Sequence, residues 1–398
     1  MRRSGAGAAL AALLLAAFAL RPQLIGVGPL LPEIQDDLEV SHAVAGLLVT
    51  IPVLCMGLFA PPGALFASWL GSRAALAACL AVMAGAGALR ALAPEAVTVL
   101  LLTLPIGIVM GLAGPLMAVV VRERFSERPA FATGVYATGL VLGSTVASAA
   151  AVPLARTLGG WREALLVFAA VAALVLAVWI VLDRGRAPRS AGPTRLPRLP
   201  FRSPIAWALC LVFAFEGFTF YGITAWLPDA FVERGWSEGE AGALLAVVLG
   251  LGLPFGLLVP WVADRAGSRR LYLMSSAGLL ALSLGGIAAF PGGAWVWAAL
   301  IGVAFGALFP LILTLPLDVA DEARDVGAAA AMMLGVGYAL SATAPLALGA
   351  ARDATGSFES SLWVLAAFGV GSFASTLPLS RARLSRGTRP RVVPPLPG

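Results

Sequence analysis

Long apolar runs dominate this sequence and decide what it can fold into. Twelve of them stand at roughly 6–32, 42–70, 74–92, 95–121, 130–156, 162–182, 204–231, 239–263, 271–290, 295–317, 326–350 and 358–379. An α-helix rises about 1.5 Å per residue, so about 20 apolar residues cross the hydrocarbon of a bilayer. With 60% hydrophobic and only 12% charged residues among 398, the chain could not coat a water-soluble surface of its size. The expected fold is an all-α membrane protein with twelve transmembrane helices, several of them long enough to tilt.

The opening MRRSGAGAALAALLLAAFAL has the basic start and apolar stretch of a secretory leader. Its apolar character continues past Arg21 to Pro32, so it is read as the first span and not as a cleaved segment. Ser41 reads as a helix N-cap, and Ser237 followed by Glu240 as a capping box that opens the eighth span. Cys55, Cys79 and Cys210 all fall inside apolar runs, without ligand spacing and in odd number, and read as small buried apolar residues. No metal cluster, nucleophile–base pair or phosphate-binding loop is present in the sequence, which argues against an enzyme and calls for no cofactor.

The charge of +6 reports topology and gives no reason to expect nucleic acid. All 27 basic residues are arginine. If the N-terminus lies inside, 21 of the 27 fall in inner loops and tails, including Arg73, Arg184 to Arg202 and Arg381 to Arg391. Arg90, Arg156, Arg162, Arg234 and Arg352 then lie outside. This bias places both termini in the cytoplasm of a cell whose plasma membrane holds the protein, with weak attraction to anionic lipid. The Pro- and Arg-rich stretch DRGRAPRSAGPTRLPRLPFRS reads as a linker. The expected organisation is a six-helix half over 1–183, a cytoplasmic linker over 184–203, a second six-helix half over 204–380, and a basic tail over 381–398.

The two halves are copies. AGLLVTIPVLCMGLFAPPGALFASWLGSR (45–73) and AGALLAVVLGLGLPFGLLVPWVADRAGSR (241–269) open with AG and close with GSR at a constant offset of 196. The same offset pairs Leu31-Pro32 with Leu227-Pro228, Ser41 with Ser237, Gly139 with Gly335, and Ala155-Arg156 with Ala351-Arg352. Two parallel six-helix repeats related by an axis along the membrane normal are the plan of the major facilitator superfamily.

Within this frame two charges stand out. Arg21 is the base farthest from any loop and Glu216 the acid deepest in a span. They precede the repeat-related Pro32 and Pro228 by nearly the same distance, so the first and seventh spans carry opposite charges near the midplane. A charge there is costly on lipid, and both should face a central cavity or each other. A structural ion pair joining the halves is one reading. The other is a binding site in which Arg21 takes an anionic or strongly polar substrate and Glu216 acts as counter-ion or proton carrier. Pro22 breaks the first helix and so could free backbone groups for a ligand. Gln23, Tyr136, Tyr221 and Tyr338 are the further candidates for the cavity wall, with Trp226 less favoured because it lies near the outer surface. His42, the sole histidine, is expected to be solvent-exposed at an outer helix start, with a pH-sensing role as the less favoured reading.

ADRAGSRR (263–270) resembles the loop motif of the major facilitator superfamily. The resemblance implies a gating latch of Asp264 and Arg265 with Gly267 at the turn, followed by Arg269 and Arg270. The first-half copy keeps only Gly71 and Arg73, with Ser68 and Trp69 where the acid and arginine would stand. ALRPQLIGVGPLLPEIQDDL, GVYATGLVLG, FYGITAWLPDAFVERGWSEGEAG and GYALSATAPLALGAARDATG resemble the cyanate and 2-nitroimidazole permeases over essentially the full chain. Members of that family often carry an amide where Glu216 stands and a polar residue where this chain reads GLAGPLM (111–117). A specific substrate is therefore not implied. What the resemblance implies is a secondary transporter moving a small polar or anionic solute of the cyanate or nitroimidazole size class by alternating access. The chain carries no ATPase motif, so a proton or substrate gradient should supply the energy, with protons the expected coupling ion and a monomer the expected unit. Proton-antiport efflux of a drug or metabolite is a second reading. A non-transporting membrane sensor or scaffold is a third, disfavoured by the mid-membrane charges.

Overall fold

A computed structural model describes residues 3–125, 129–182, 199–266, 269–319 and 323–379. Most of the expected linker and the whole of the expected tail over 381–398 lie outside these residues. Among the described residues the chain is helical and has twelve helical segments long and apolar enough to cross a membrane. The first half contains α1 (Arg3–Ala19), α2 (Pro22–Ile25), α3 (Leu31–Leu38), α4 (His42–Leu70), α5 (Ser72–Leu92), α6 (Ala96–Arg124), α7 (Pro129–Leu158) and α8 (Trp161–Leu182). The second half contains α9 (Pro204–Glu233), α10 (Glu238–Ala266), α11 (Arg269–Ala289), α12 (Ala294–Val319), α13 (Ala323–Ser341), α14 (Thr343–Thr355) and α15 (Glu359–Thr376).

The repeat is visible in both element bounds and packing. α10 starts and ends 196 residues after α4. Within the halves α4 packs on α6 as α10 packs on α12, α1 on α7 as α9 on α13, and α5 on α8 as α11 on α15. Between the halves α4 packs on α13 and α14, and α7 on α10, so each half lends one copy of the same helix pair to the other. The caps at the starts of α4 and α10 form as expected. Ser41 Oγ accepts from Val44 N at 3.3 Å. Ser237 N donates to Glu240 Oε2 at 3.0 Å, and Glu240 N donates back to Ser237 Oγ at 3.3 Å.

Two spans are broken. The first is interrupted at Arg21-Pro22, where proline has no N–H to give. It continues as α2, a 3-10 turn at Gly28–Leu30 and α3. Gly28 sits at the break because a Cβ there would overlap the Thr224 carbonyl oxygen of α9. The eleventh span, expected as one helix over 326–350, is instead α13 and α14, divided at Ala342.

Apart from the short α2 inside the broken first span, the α-helices start or finish at one of two ends. One end carries the beginning of α1 and the end of α15; the other, the far end, carries α3 and the starts of α4, α8, α10 and α15. At the far end the halves are joined by polar contacts. Gln35 Nε2 of α3 donates to Asp229 Oδ2 of α9 at 3.4 Å, while Trp226 Nε1 of α9 ties the second half to itself by donating to the Pro345 carbonyl of α14 at 2.7 Å. Arg156 Nη2 of α7 reaches Glu238 Oε2 of α10 at 3.4 Å.

Candidate functional site

Between the halves lies a cavity of about 200 Å³. Its walls run from Phe213, Glu216 and Tyr221 at mid-span of α9 to Gly134 near the start of α7 and Pro310 near the end of α12, so it leads to the terminus end. Arg21 lines it from the first half; Glu216, Tyr221 and Tyr338 line it from the second. Glu216 is 3% exposed. Apart from Thr138 and Ser144 the rest of the lining is apolar, and much of it is aromatic. Tyr338 meets Phe213 edge-on at 4.8 Å between centroids, and Phe220 meets Tyr221 at 5.2 Å and Phe305 at 5.4 Å.

Arg21 and Glu216 share this cavity but do not pair: among the described ion pairs none joins them. Their charges remain available to a third party. The Arg21 guanidinium instead sits within interacting distance of the Tyr221 hydroxyl, and Tyr338 feels both charges. The asymmetry has a local cause. The residue 196 positions after Arg21 is Gly217, and Ser341 packs so close to its Cα that a Cβ would collide with the hydroxyl. The cavity therefore receives its cation from the first half alone.

The remaining expected wall residues are placed differently. Tyr136 lies near enough to Tyr338 to affect it electrostatically, yet the cavity wall on α7 is formed by Gly134, Ala137, Thr138, Leu140, Val141 and Ser144. Thr138 and Ser144 donate their hydroxyl protons to carbonyls one turn back, at 2.9 Å each, which leaves oxygen lone pairs as acceptors. Gln23 faces away from the cavity. It is fully buried; its Nε2 donates to the Leu165 carbonyl at 3.1 Å. Its Oε1 and its backbone oxygen each accept from Arg90 Nη2 at 2.7 Å. The carbonyl freed by the break in the first span thus goes to Arg90 and not to the cavity.

Arg90, expected outside the membrane, is 1% exposed and bent into the first half. Its acceptors are neutral: Gln23 twice, and Thr103 Oγ1 at 3.4 Å. Gly87, one turn earlier on α5, makes room for the Gln23 amide, because a Cβ there would come within 2.5 Å of Nε2. The position of Arg90 near the end of an apolar run resembled a flanking charge. The signal that it turns inward is Thr103, a polar residue in the facing span.

The loop motif is partly in view. Gly267 lies outside the described residues, and of Asp264 only the helical backbone is described. Arg265 is exposed and stacks over Trp261 of its own helix, 3.6 Å from the ring centroid. Arg269 and Arg270 open α11, and the buried Nε of Arg270 has no hydrogen-bond partner. Gly71 takes φ 80° where the chain turns into α5, a conformation that suits glycine. Arg73 Nη2 donates to the Ile180 carbonyl of α8 at 2.9 Å, inside its own half.

Trp226 does not line the cavity, and His42 is half-buried where an exposed residue was expected. Trp226 is buried in the far-end contact. His42 is not a free surface residue: its Nδ1 lies 2.8 Å from Asp353 Oδ1 of α14, and its Nε2 lies 3.8 Å from Asp229 Oδ2. Its ring also meets those of Trp226 and Phe358 at 5.7 and 5.5 Å.

Comparison with known proteins decides the family. The model described as Major Facilitator Superfamily matches residues 11–342. The chain belongs to that superfamily. It is 30% identical over 353 residues to the 2-nitroimidazole transporter of Escherichia coli (strain K12), covering 88% of this chain and 89% of that one. It is 29% identical over 347 residues to the cyanate transport protein CynX of the same strain, covering 85% and 88%. These relatives fix its branch as that of the cyanate and 2-nitroimidazole permeases, and its class as transporter and not enzyme. Among solved structures, the inward-facing, unoccupied form of a bacterial homologue of the human lysosomal transporter Spinster superposes with a TM-score of 0.78 at 16% identity, over 97% of this chain and 98% of that one. The fold of this integral membrane protein is therefore that of the superfamily.

Proposed function

We propose that this chain is a secondary transporter that moves a small polar or anionic solute, of the cyanate or nitroimidazole size class, by alternating access with proton coupling. Arg21 binds the negative end of the solute. Glu216 carries the proton, and the Tyr221 and Tyr338 hydroxyls orient the solute between them. One observation carries this reading: a cation from one half and an acid from the other line a single cavity without neutralising each other. A mid-membrane charge left unpaired costs several kcal/mol unless it does something. The aromatic walls favour a planar ring over a bare triatomic anion, since base-like rings stack on such faces. Proton-driven efflux of a heteroaromatic compound is the second reading, favoured by that same lining.

The arginine bias supports a plasma-membrane orientation with both termini, and hence the cavity mouth, in the cytoplasm. The unit of transport is the single chain of halves 1–183 and 204–380, joined by the 184–203 linker, and the Asp264 to Arg270 motif latches the terminus end when the cavity closes there. The test is flux in proteoliposomes with labelled cyanate and labelled 2-nitroimidazole, under an imposed pH gradient. Arg21→Ala should lose uptake by at least about tenfold, and Glu216→Gln should keep solute exchange while losing the response to the gradient. Full transport by Arg21→Ala would remove the site from the mechanism.

A further inference from the structure

The far-end contact contains a titratable cluster that the cavity chemistry does not use. His42 stands at the first residue of α4, in the first half. It faces Asp353 of α14 at 2.8 Å and Asp229 of α9 at 3.8 Å, both in the second half. A neutral imidazole donates from one ring nitrogen only; an imidazolium donates from both. A ring set between two carboxylates is satisfied on both sides only when it holds the extra proton. The other charged groups around it cancel, for Arg352 Nε of α14 binds Glu233 Oε2 of α9 at 2.8 Å. From α3 comes only the neutral Gln35, which donates to Asp229. The local balance is then two carboxylates against one imidazole.

The two acids are held differently. Asp353 also accepts from the backbone N–H groups of His42 and Ala43, at 3.1 and 2.8 Å, so it grips the start of α4 whatever the state of the ring. Asp229 is buried and relies on Gln35 and His42. The repeat supplies an internal control. Glu238, 196 residues after His42, opens α10 and pairs with Arg156 of α7 at 3.4 Å. Asp353 stands one residue beyond Arg352, the repeat mate of Arg156. The halves are therefore latched twice at equivalent places with the signs reversed. One latch pairs a guanidinium with a carboxylate; the other sets an imidazole, the side-chain type suited to proton exchange near neutral pH, against carboxylates.

We infer that His42, Asp229 and Asp353 form a proton-binding site whose occupation closes the far-end gate. The inference rests on the alternating-access reading above. Opening the gate carries α4 away from α9 and α14, and the ring leaves both acids for water. A proton shared by the cluster is held between carboxylates only while the gate is shut. Proton binding and closure therefore favour each other by the same factor. The cluster titrates as one unit, whichever member carries the proton. This site is separate from Glu216: acidity on the far face drives the carrier toward the state whose cavity opens at the terminus end.

Pulsed electron-spin distances test this directly. Spin labels go on Asp36→Cys and Glu359→Cys, exposed far-end positions in opposite halves, with Cys55, Cys79 and Cys210 replaced by alanine. The protein is held in lipid nanodiscs without substrate, from about pH 5 to about pH 8. The closed, short-distance population should fall as pH rises, with the closed-to-open ratio changing by up to about tenfold per pH unit for one linked proton. His42→Gln should reduce this dependence, and should do so equally in a Glu216→Gln background, where the cavity acid contributes nothing. If His42→Gln does not fold, Asp229→Asn takes its place and should reduce the slope. Two populations insensitive to pH, or an undiminished slope in these variants, would overturn the proton site and leave alternating access standing. One distance at every pH would overturn both.

Discussion

At the scale of single residues, the least expected feature is Arg90. A guanidinium buried among neutral acceptors gains hydrogen bonds but no counter-charge, and desolvation works against it. What it does is fix the break in the first span, by holding both oxygens of Gln23 two residues beyond Arg21. Arg90→Met strands those two oxygens in an apolar setting, at about 1–3 kcal/mol each. Gln23→Leu does the reverse: it takes away the side-chain oxygen and leaves the charge with the residue-23 backbone carbonyl and Thr103 alone. Replacing both at once strands only that backbone carbonyl, so the side-chain part of the imbalance disappears. The double variant should therefore lose less than the two single losses added together, with a coupling of about 1–3 kcal/mol for the one side-chain oxygen. Thermal unfolding in detergent measures this, and additive losses would show that the two side chains do not depend on each other. The sequence alone carried Arg21 and Glu216 to the cavity because each interrupts a long apolar run far from its ends. It misplaced Arg90 because long side chains near a run's end usually reach outward to water. Here the side chain turns inward, a choice made by Gly87 and Gln23, which only the packed helices bring together.

At the scale of elements, the seam between α4 and α14 sets how tightly the far end closes. A Cβ on Gly46 would lie 2.6 Å from the Pro345 carbonyl oxygen, and one on Gly349 would lie 2.5 Å from that of His42. Backbone stands on the other side of each contact, so no flexible side chain can give way. Gly46→Val should therefore push the halves apart at the far end. Overpacking by one small side chain costs about 1–3 kcal/mol, a shift of roughly 5- to 150-fold in the balance of two states. The Asp36–Glu359 label pair should report a larger open population at every pH, and an unchanged distance distribution would mean that this seam does not limit closure. Span positions were readable along the chain to within a few residues, because burial in lipid demands long apolar helices whatever packs beside them. The division at Ala342 was not. Its cause is the α13–α14 path over α4 and α9, where Tyr338 faces the cavity and Pro345 faces Trp226.

At the scale of the whole molecule, duplication gives two equivalent cross-half helix pairs, and the sequence discloses the duplication through a constant offset. It does not disclose which end of the pairs is closed, since both ends are apolar seams with polar tips. His42 looked like an exposed helix start for this reason: its partners are supplied by the other half, more than 180 residues away in the chain. Which compartment the closed end faces follows from the arginines. On the proposed orientation, with 21 of 27 arginines on the side of the termini, the gate of His42, Asp229 and Asp353 would face outward and the cavity of Arg21 and Glu216 the cytoplasm. A membrane-impermeant maleimide applied to intact cells should then label Asp36→Cys at the far end, and label Leu70→Cys, exposed at the opposite end of α4, only after permeabilisation. The reverse pattern would turn the molecule over. The proton latch would then sense the cytoplasm, and the same acidity that closes it would open the cavity to the outside. Direction of transport under a pH gradient thus hangs on this one orientation measurement.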